Sequence, residues 1–294
     1  MKKSIFNNPI LPYLLVAPQL LVVLVFFFWP AFETLHLSVF TISPFGDRQI
    51  FVGLDNFIAL LTSSEYYRSV YHSFLFSLGV TFSCLTLALF LAVLVNQKIR
   101  GLAFYRSAIL WTFGMAPPIS GVIWLFIFHP TYGILNYLLS QVTSYEFNWL
   151  LKDWLALVLV IFAASYAHLG YNVAFFLAAL QGIPNAVVEA ARVDGAGGLR
   201  LFRSITFPLL SPVTFFLFIM NMVFSFFETF GIIHAVTQGG PGDATSIMVY
   251  KTYVDGFVHM RMGLSAAQSF ILMALVIFLT VLQFRYTEKK VSYS

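Results

Sequence analysis

Charge is scarce in this chain. Asp, Glu, Lys and Arg make up only 10% of its 294 residues, whereas 60% are hydrophobic, 18% are aromatic and the mean hydropathy is +0.86. A soluble domain of this length needs far more charge to cover its surface, so a soluble enzyme or carrier is excluded and an integral membrane protein is expected. Cysteine is nearly missing as well. Cys84 is the single one, so no intrachain disulfide can form, and its place in an apolar run suits a small buried residue better than a redox or metal role. The uncharged runs lack the every-second-residue alternation of barrel strands, which leaves helices. No G-x-x-x-x-G-K-[ST] occurs, so the usual cradle for ATP phosphates is missing. Nor does any nucleophile–base or metal constellation appear, which disfavours a membrane enzyme. The net charge of +4 does not call for nucleic acid, because a basic excess in a membrane chain follows topology.

What is present are long apolar runs fenced by charges. They predict six spans, near 12–32, 70–95, 107–128, 155–180, 209–233 and 264–284, each long enough for a hydrocarbon core of about 30 Å. Pro117-Pro118 predicts a kink in the third. Orientation follows from the basic residues. Lys2, Lys3, Lys98, Arg100, Arg106, Arg192, Arg200, Arg203, Arg285, Lys289 and Lys290 fall on one side; Arg48, Arg68, Lys152, Lys251 and Arg261 fall on the other. The positive-inside rule then puts both termini and the loop around Glu189 in the cytoplasm. The first run ends without an A-x-A pattern and reads as an uncleaved span. One membrane domain, 1–294, is the simplest division.

The loop 182–207 is the one polar island of the second half. Pro184 and Asn185 suit a helix start, and 186–193 reads as a two-turn helix. Asp194-Gly195 breaks it, Gly197-Gly198 extends the break, and 199–205 can form a second short helix before Pro208 opens the fifth span. These local features suit a protein-docking element, and equally a solvated connector beside lipid headgroups.

The order Glu189-Ala190-Ala191, Gly195, Ile205 and Pro208 resembles the EAA loop of ABC-importer permeases, with Phe207 where leucine is usual. Leu11-Pro12-Tyr13-Leu14-Leu15-Val16-Ala17-Pro18, Phe51-Val52-Gly53-Leu54-Asp55-Asn56-Phe57 and Gly239-Gly240-Pro241 are similar to the carbohydrate-importer branch. Pro18-Gln19-Leu20, Ser265-Ala266-Ala267-Gln268-Ser269 and Gln283-Phe284-Arg285-Tyr286 resemble the permeases of sn-glycerol-3-phosphate importers within it. The resemblance implies an all-α, MetI-like membrane fold in the bacterial cytoplasmic (inner) membrane. It also implies a second homologous permease, two ATP-binding subunits that hold ATP and Mg, and a periplasmic or extracellular binding protein. Glu189, Ala190, Ala191, Asp194, Gly195 and Ala196 would couple the chain to the ATPase. The implied substrate is sn-glycerol-3-phosphate or a glycerophosphodiester, with a sugar or oligosaccharide as the alternative. An ion-driven secondary transporter is the rival from another class.

Polar residues inside the spans are the candidates for a substrate path. Glu228, in Phe226-Phe227-Glu228-Thr229, is the one acid deep in an apolar run. Such a residue faces a cavity or a partner, and either substrate contact or a lock between helices fits it. Thr229 offers a hydroxyl beside it, and Phe226 lies on the same run. His168, Tyr171 and Asn172 lie three and four apart and share a helix face. They read as path residues or as interhelical glue, and the resemblance places Tyr171 at a position that contacts substrate.

Overall fold

The computed structural model describes residues 10–43, 48–97, 100–143 and 147–287. Lys2, Lys3, Asp47, Lys98, Glu146, Lys289 and Lys290, which bear on the charge topology, lie outside the described residues. In chain order the elements are α1 (Leu11–Ser38), β1 (Phe40–Ile42), β2 (Gln49–Phe51), α2 (Asp55–Thr62), α3 (Ser64–Val95), α4 (Leu102–Leu110), α5 (Pro117–Ile127), α6 (Ile134–Ser140) and α7 (Asp153–Gly182). There follow α8 (Asn185–Val193), α9 (Gly198–Leu209), α10 (Ser211–Phe227), α11 (Phe230–Val236), α12 (Met248–Tyr253) and α13 (Met262–Thr287). Four of these helices are long and apolar enough to cross a membrane, and six spans result if each of two bent helix pairs counts as one.

The chain divides into two units, Met1–Ser63 with Thr252–Ile271, and Ser64–Lys251 with Leu272–Ser294. In the first, β1 and β2 form an antiparallel hairpin pairing Phe40 with Phe51. The Asn56 amide donates to the carbonyls of Ser38 (2.8 Å) and Phe40 (3.0 Å), fastening α2 to the hairpin. Asp255 is buried and accepts from Gln268 Nε2 at 2.5 Å, with the His259 ring 3.1 Å away. Within α1 only Ser38 is buried. An apolar helix with an exposed surface needs no aqueous face when lipid is its solvent, and its backbone groups are satisfied internally.

The second unit is built on α3 and α7. Ser77, Thr81, Cys84, Ala88 and Ala92 recur every three or four residues on α3 and are all fully buried. Ala156, Ala163, Ala164 and Ala167 of α7 are buried too. Small side chains let two membrane helices approach until their backbones nearly touch, and the Cys84 thiol reaches the Ser165 carbonyl at 3.5 Å. Cys84 is therefore a packing residue. At one end Val95, Phe176, Leu180, Leu210 and Leu217 close the core. The Arg106 guanidinium donates to the Val95 carbonyl at 3.1 Å, capping α3.

Two expected spans are broken. The third turns by 111° between Leu102–Gly114 and Pro117–Ile127, far beyond a kink. Met115 and Ala116 are extended, Ala116 because a following proline disfavours the helical region, and Pro117 starts a new helix at its first position. The fifth, expected over 209–233, is one uninterrupted helix only from Ser211 to Phe227. Its chain leaves the helix at Glu228 and Thr229, and α11 packs on α5 instead. Pro208 does not open this span either. It lies within α9, and a 65° bend at Leu210 separates α9 from α10, where Pro212 sits in the first turn.

Candidate functional site

The polar island folds as two short helices around a tight corner. The two-turn expectation is met by α8, Asn185–Val193. Its end is closed by two backbone bonds, from Gly195 N–H to the Arg192 carbonyl (3.0 Å) and from Ala196 N–H to the Ala191 carbonyl (2.9 Å). This pairing is a Schellman cap, and it demands a left-handed residue at the position Gly195 holds with φ of +79°. A Cβ there would meet nothing within 4 Å. The requirement for glycine thus comes from backbone conformation, and crowding plays no part. The motif spacing gains a physical meaning: Ala191 and Ala196 turn inward to support the corner, while Glu189, Ala190, Asp194 and Gly195 lie exposed. Val193 and Leu199 flank them at 87% and 83% exposure. Arg192, Arg200 and Arg203 are exposed as well. An apolar pair standing that far out on a polar corner suits contact with another protein.

The six intramembrane candidates separate into two groups. Asn172 is fully buried and exchanges hydrogen bonds with Asn221, Nδ2 to Oδ1 at 3.1 Å one way and 2.6 Å the other. Each amide also donates to a carbonyl of its own helix, His168 at 2.9 Å and Leu217 at 2.7 Å. This amide pair ties α7 to α10, the interhelical alternative for Asn172. Thr229 is fully buried and donates to the Ser225 carbonyl at 2.8 Å. Phe226 is buried with its ring edge-on to Phe74. These three side chains are occupied inside the chain. Near them Ser77 and Ser225 are joined by a short hydroxyl–hydroxyl bond.

His168, Tyr171 and Glu228 remain nearer the surface. His168 is sandwiched between Phe224 (4.0 Å between ring centroids) and Tyr171 (4.7 Å). Tyr171 stacks further on Phe113 (5.9 Å) and Phe175 (4.7 Å), and Phe175 reaches Phe216 at 5.2 Å. The result is an aromatic face along α7 on which Phe113, Phe175 and Phe216 are exposed and Tyr171 is half-buried. Glu228 is exposed at the end of α10, close enough for its charge to act on Tyr171. The bend of the third expected span supports this face. Thr112 Oγ1 accepts from Gly170 N–H at 2.8 Å, and a Cβ on Gly170 would fall 2.6 Å from that oxygen. Two residues of this site escaped the sequence reading. Asn221 is the one amide of the run 207–236, a signal that was available, whereas Thr112 is one hydroxyl among many.

On the other loop singled out by sequence, the Thr245 hydroxyl donates to the Gly240 carbonyl at 2.8 Å and pairs with Thr237 at 2.7 Å. The Gly239-Gly240-Pro241 stretch is thereby closed into a compact turn.

Residues 57–293 match the family described as the binding-protein-dependent transport system inner membrane component. The chain belongs to this family. As an inner membrane component of a binding-protein-dependent system, it is a multi-pass permease of the ABC-importer type. It is 47% identical over 293 residues to the sn-glycerol-3-phosphate transport system permease protein UgpA of Rhizobium meliloti (strain 1021), covering 100% of both chains. The protein of that name from Escherichia coli O157:H7 is 46% identical over 291 residues, covering 99% of this chain and 98% of the relative. Among solved structures, a chain of a bacterial alginate ABC transporter in complex with an alginate pentasaccharide-bound periplasmic protein superposes with a TM-score of 0.80. The match covers 96% of this permease and 95% of that chain at 18% identity, a likeness of fold.

Proposed function

We propose that this permease is one of two homologous membrane subunits of an ATP-driven importer and that its substrate is sn-glycerol-3-phosphate. Identity of 47% sustained over the full length with a permease named for that substrate is the observation that carries the reading. A periplasmic binding protein would deliver the substrate. The segment 182–207 would dock on a cytoplasmic ATPase subunit through Glu189, Ala190, Asp194 and Gly195, with Val193 and Leu199 at the contact. Its exposed, rigidly capped corner supports that role. ATP and Mg would be held by two partner ATPase subunits, since the sequence has no phosphate loop. Both termini would lie in the cytoplasm, as the excess of Lys and Arg on that side favours.

The aromatic face around Tyr171 is the proposed lining of the path, with His168 stacked behind it and Glu228 at one end. Asn172, Phe226 and Thr229 would hold that lining in place from inside. The decisive experiment is uptake into proteoliposomes holding the whole transporter, with binding protein supplied outside and ATP inside. Labelled sn-glycerol-3-phosphate is expected to accumulate and maltose is not. Preferential uptake of maltose would move the substrate to the sugar branch. Uptake that persists without the ATPase subunits and collapses with an uncoupler would overturn the ATP-driven reading.

A further inference from the structure

Across 12–32, 70–95, 107–128, 155–180, 209–233 and 264–284 there is no Lys or Arg, and Glu228 is the only charged side chain. Its depth is fixed by its neighbours. One turn before it on α10, Phe224 stacks on His168, the sixteenth residue of the thirty-residue α7, which sets Glu228 about one helical turn from the level of that helix's middle. Its side chain is exposed, and among the described residues it makes no hydrogen bond or ion pair. A carboxylate at such depth normally meets a cation or a water-filled path. Here water alone is a poor answer. On the reading above, the path conducts a phosphate ester, and an uncompensated carboxylate beside it would repel that anion. Those six apolar stretches of this chain carry no Lys or Arg to offset either charge.

We propose that the Glu228 carboxylate pairs with a lysine or arginine carried on a span of the second permease subunit. That cation would hold Glu228 when the path is empty and meet the substrate phosphate as it passes. Recognition of the anion is then divided between the chains: this one supplies the counter-charge and the aromatic face, and its companion supplies the positive charge. The inference rests on the proposed anionic substrate and on the existence of a companion permease.

The test uses the complete transporter. Glu228→Lys is expected to lower uptake of sn-glycerol-3-phosphate and recovery of the companion on co-purification by about tenfold or more, because two like charges then face each other. Reversing one basic span residue of the companion to Glu is expected to restore both. Wild-type uptake by Glu228→Lys, or no restoration by any such reversal, would overturn the pairing. Should Glu228→Lys fail to accumulate in the membrane, disulfide trapping carries the test. Glu228→Cys is expected to cross-link to cysteine placed at one companion Lys or Arg position, and no cross-link at any of them overturns the proposal. If the wild-type transporter ignores sn-glycerol-3-phosphate, the substrate reading fails while the pairing stays measurable by co-purification and cross-linking.

Discussion

Gly195 shows how a single residue can be fixed by backbone conformation alone. With φ of +79° and open space where a Cβ would sit, it tolerates a side chain sterically but not conformationally. A β-branched residue in the left-handed region costs about 1–2 kcal/mol, and asparagine costs less. Gly195→Val is therefore expected to abolish most uptake and weaken ATPase co-purification, with membrane insertion unchanged. Gly195→Asn is expected to retain a substantial part of both. Equal loss in the two variants would mean that the small size of Gly195, and not its φ, is what the partner needs. The amide pair gives a second contrast at this scale. Asn172→Leu leaves Asn221 buried without its partner, which costs about 1 kcal/mol, so the melting temperature in detergent is expected to fall. The double variant Asn172→Leu, Asn221→Leu is expected to recover part of that loss, because neither amide is then orphaned. Tyr171→Ala is expected to reduce ATPase activity stimulated by loaded binding protein more than basal activity. Equal effects would make Tyr171 a packing residue.

Among the elements, the two broken spans were the least legible in the sequence. Pro117-Pro118 announced a disturbance, yet a proline pair fixes only the extended residue ahead of it and the start of the next helix. The size of the turn, 111°, depends on what the second piece packs against, namely α11, more than a hundred residues away. The end of α10 at Glu228 was hidden for a related reason. The run 209–233 stays apolar through the break, because α11 is as buried in protein as a spanning helix is in lipid. The straight helices α3 and α7 and the corner at Asp194-Gly195 were legible, since charge fences and glycine chemistry act locally. Gly170 gives the bend its test. A side chain there would strike Thr112 Oγ1 from 2.6 Å, and overpacking of this kind costs about 1–3 kcal/mol. Gly170→Val is expected to lower the melting temperature by several degrees and to displace Phe113 from Tyr171, which a loss of uptake with normal expression would register.

For the whole molecule, composition was the strongest guide: so little charge left room only for a membrane protein, and the placement of the basic residues predicts an orientation. Reporter fusions at the two termini are expected to report the cytoplasm in both cases, and opposite locations would contradict the charge topology. The capped corner between α8 and α9 also has a mechanical consequence. Only Asp194 to Gly197 separate the two helices, and the α8 side of the joint is closed by two backbone hydrogen bonds. Such a joint has little slack. A displacement applied at Val193 would be passed toward the bend at Leu210 through four residues, as through a short crank. On that view the length of the glycine stretch sets the compliance of the linkage, and one inserted residue would turn a drive shaft into a loose spring.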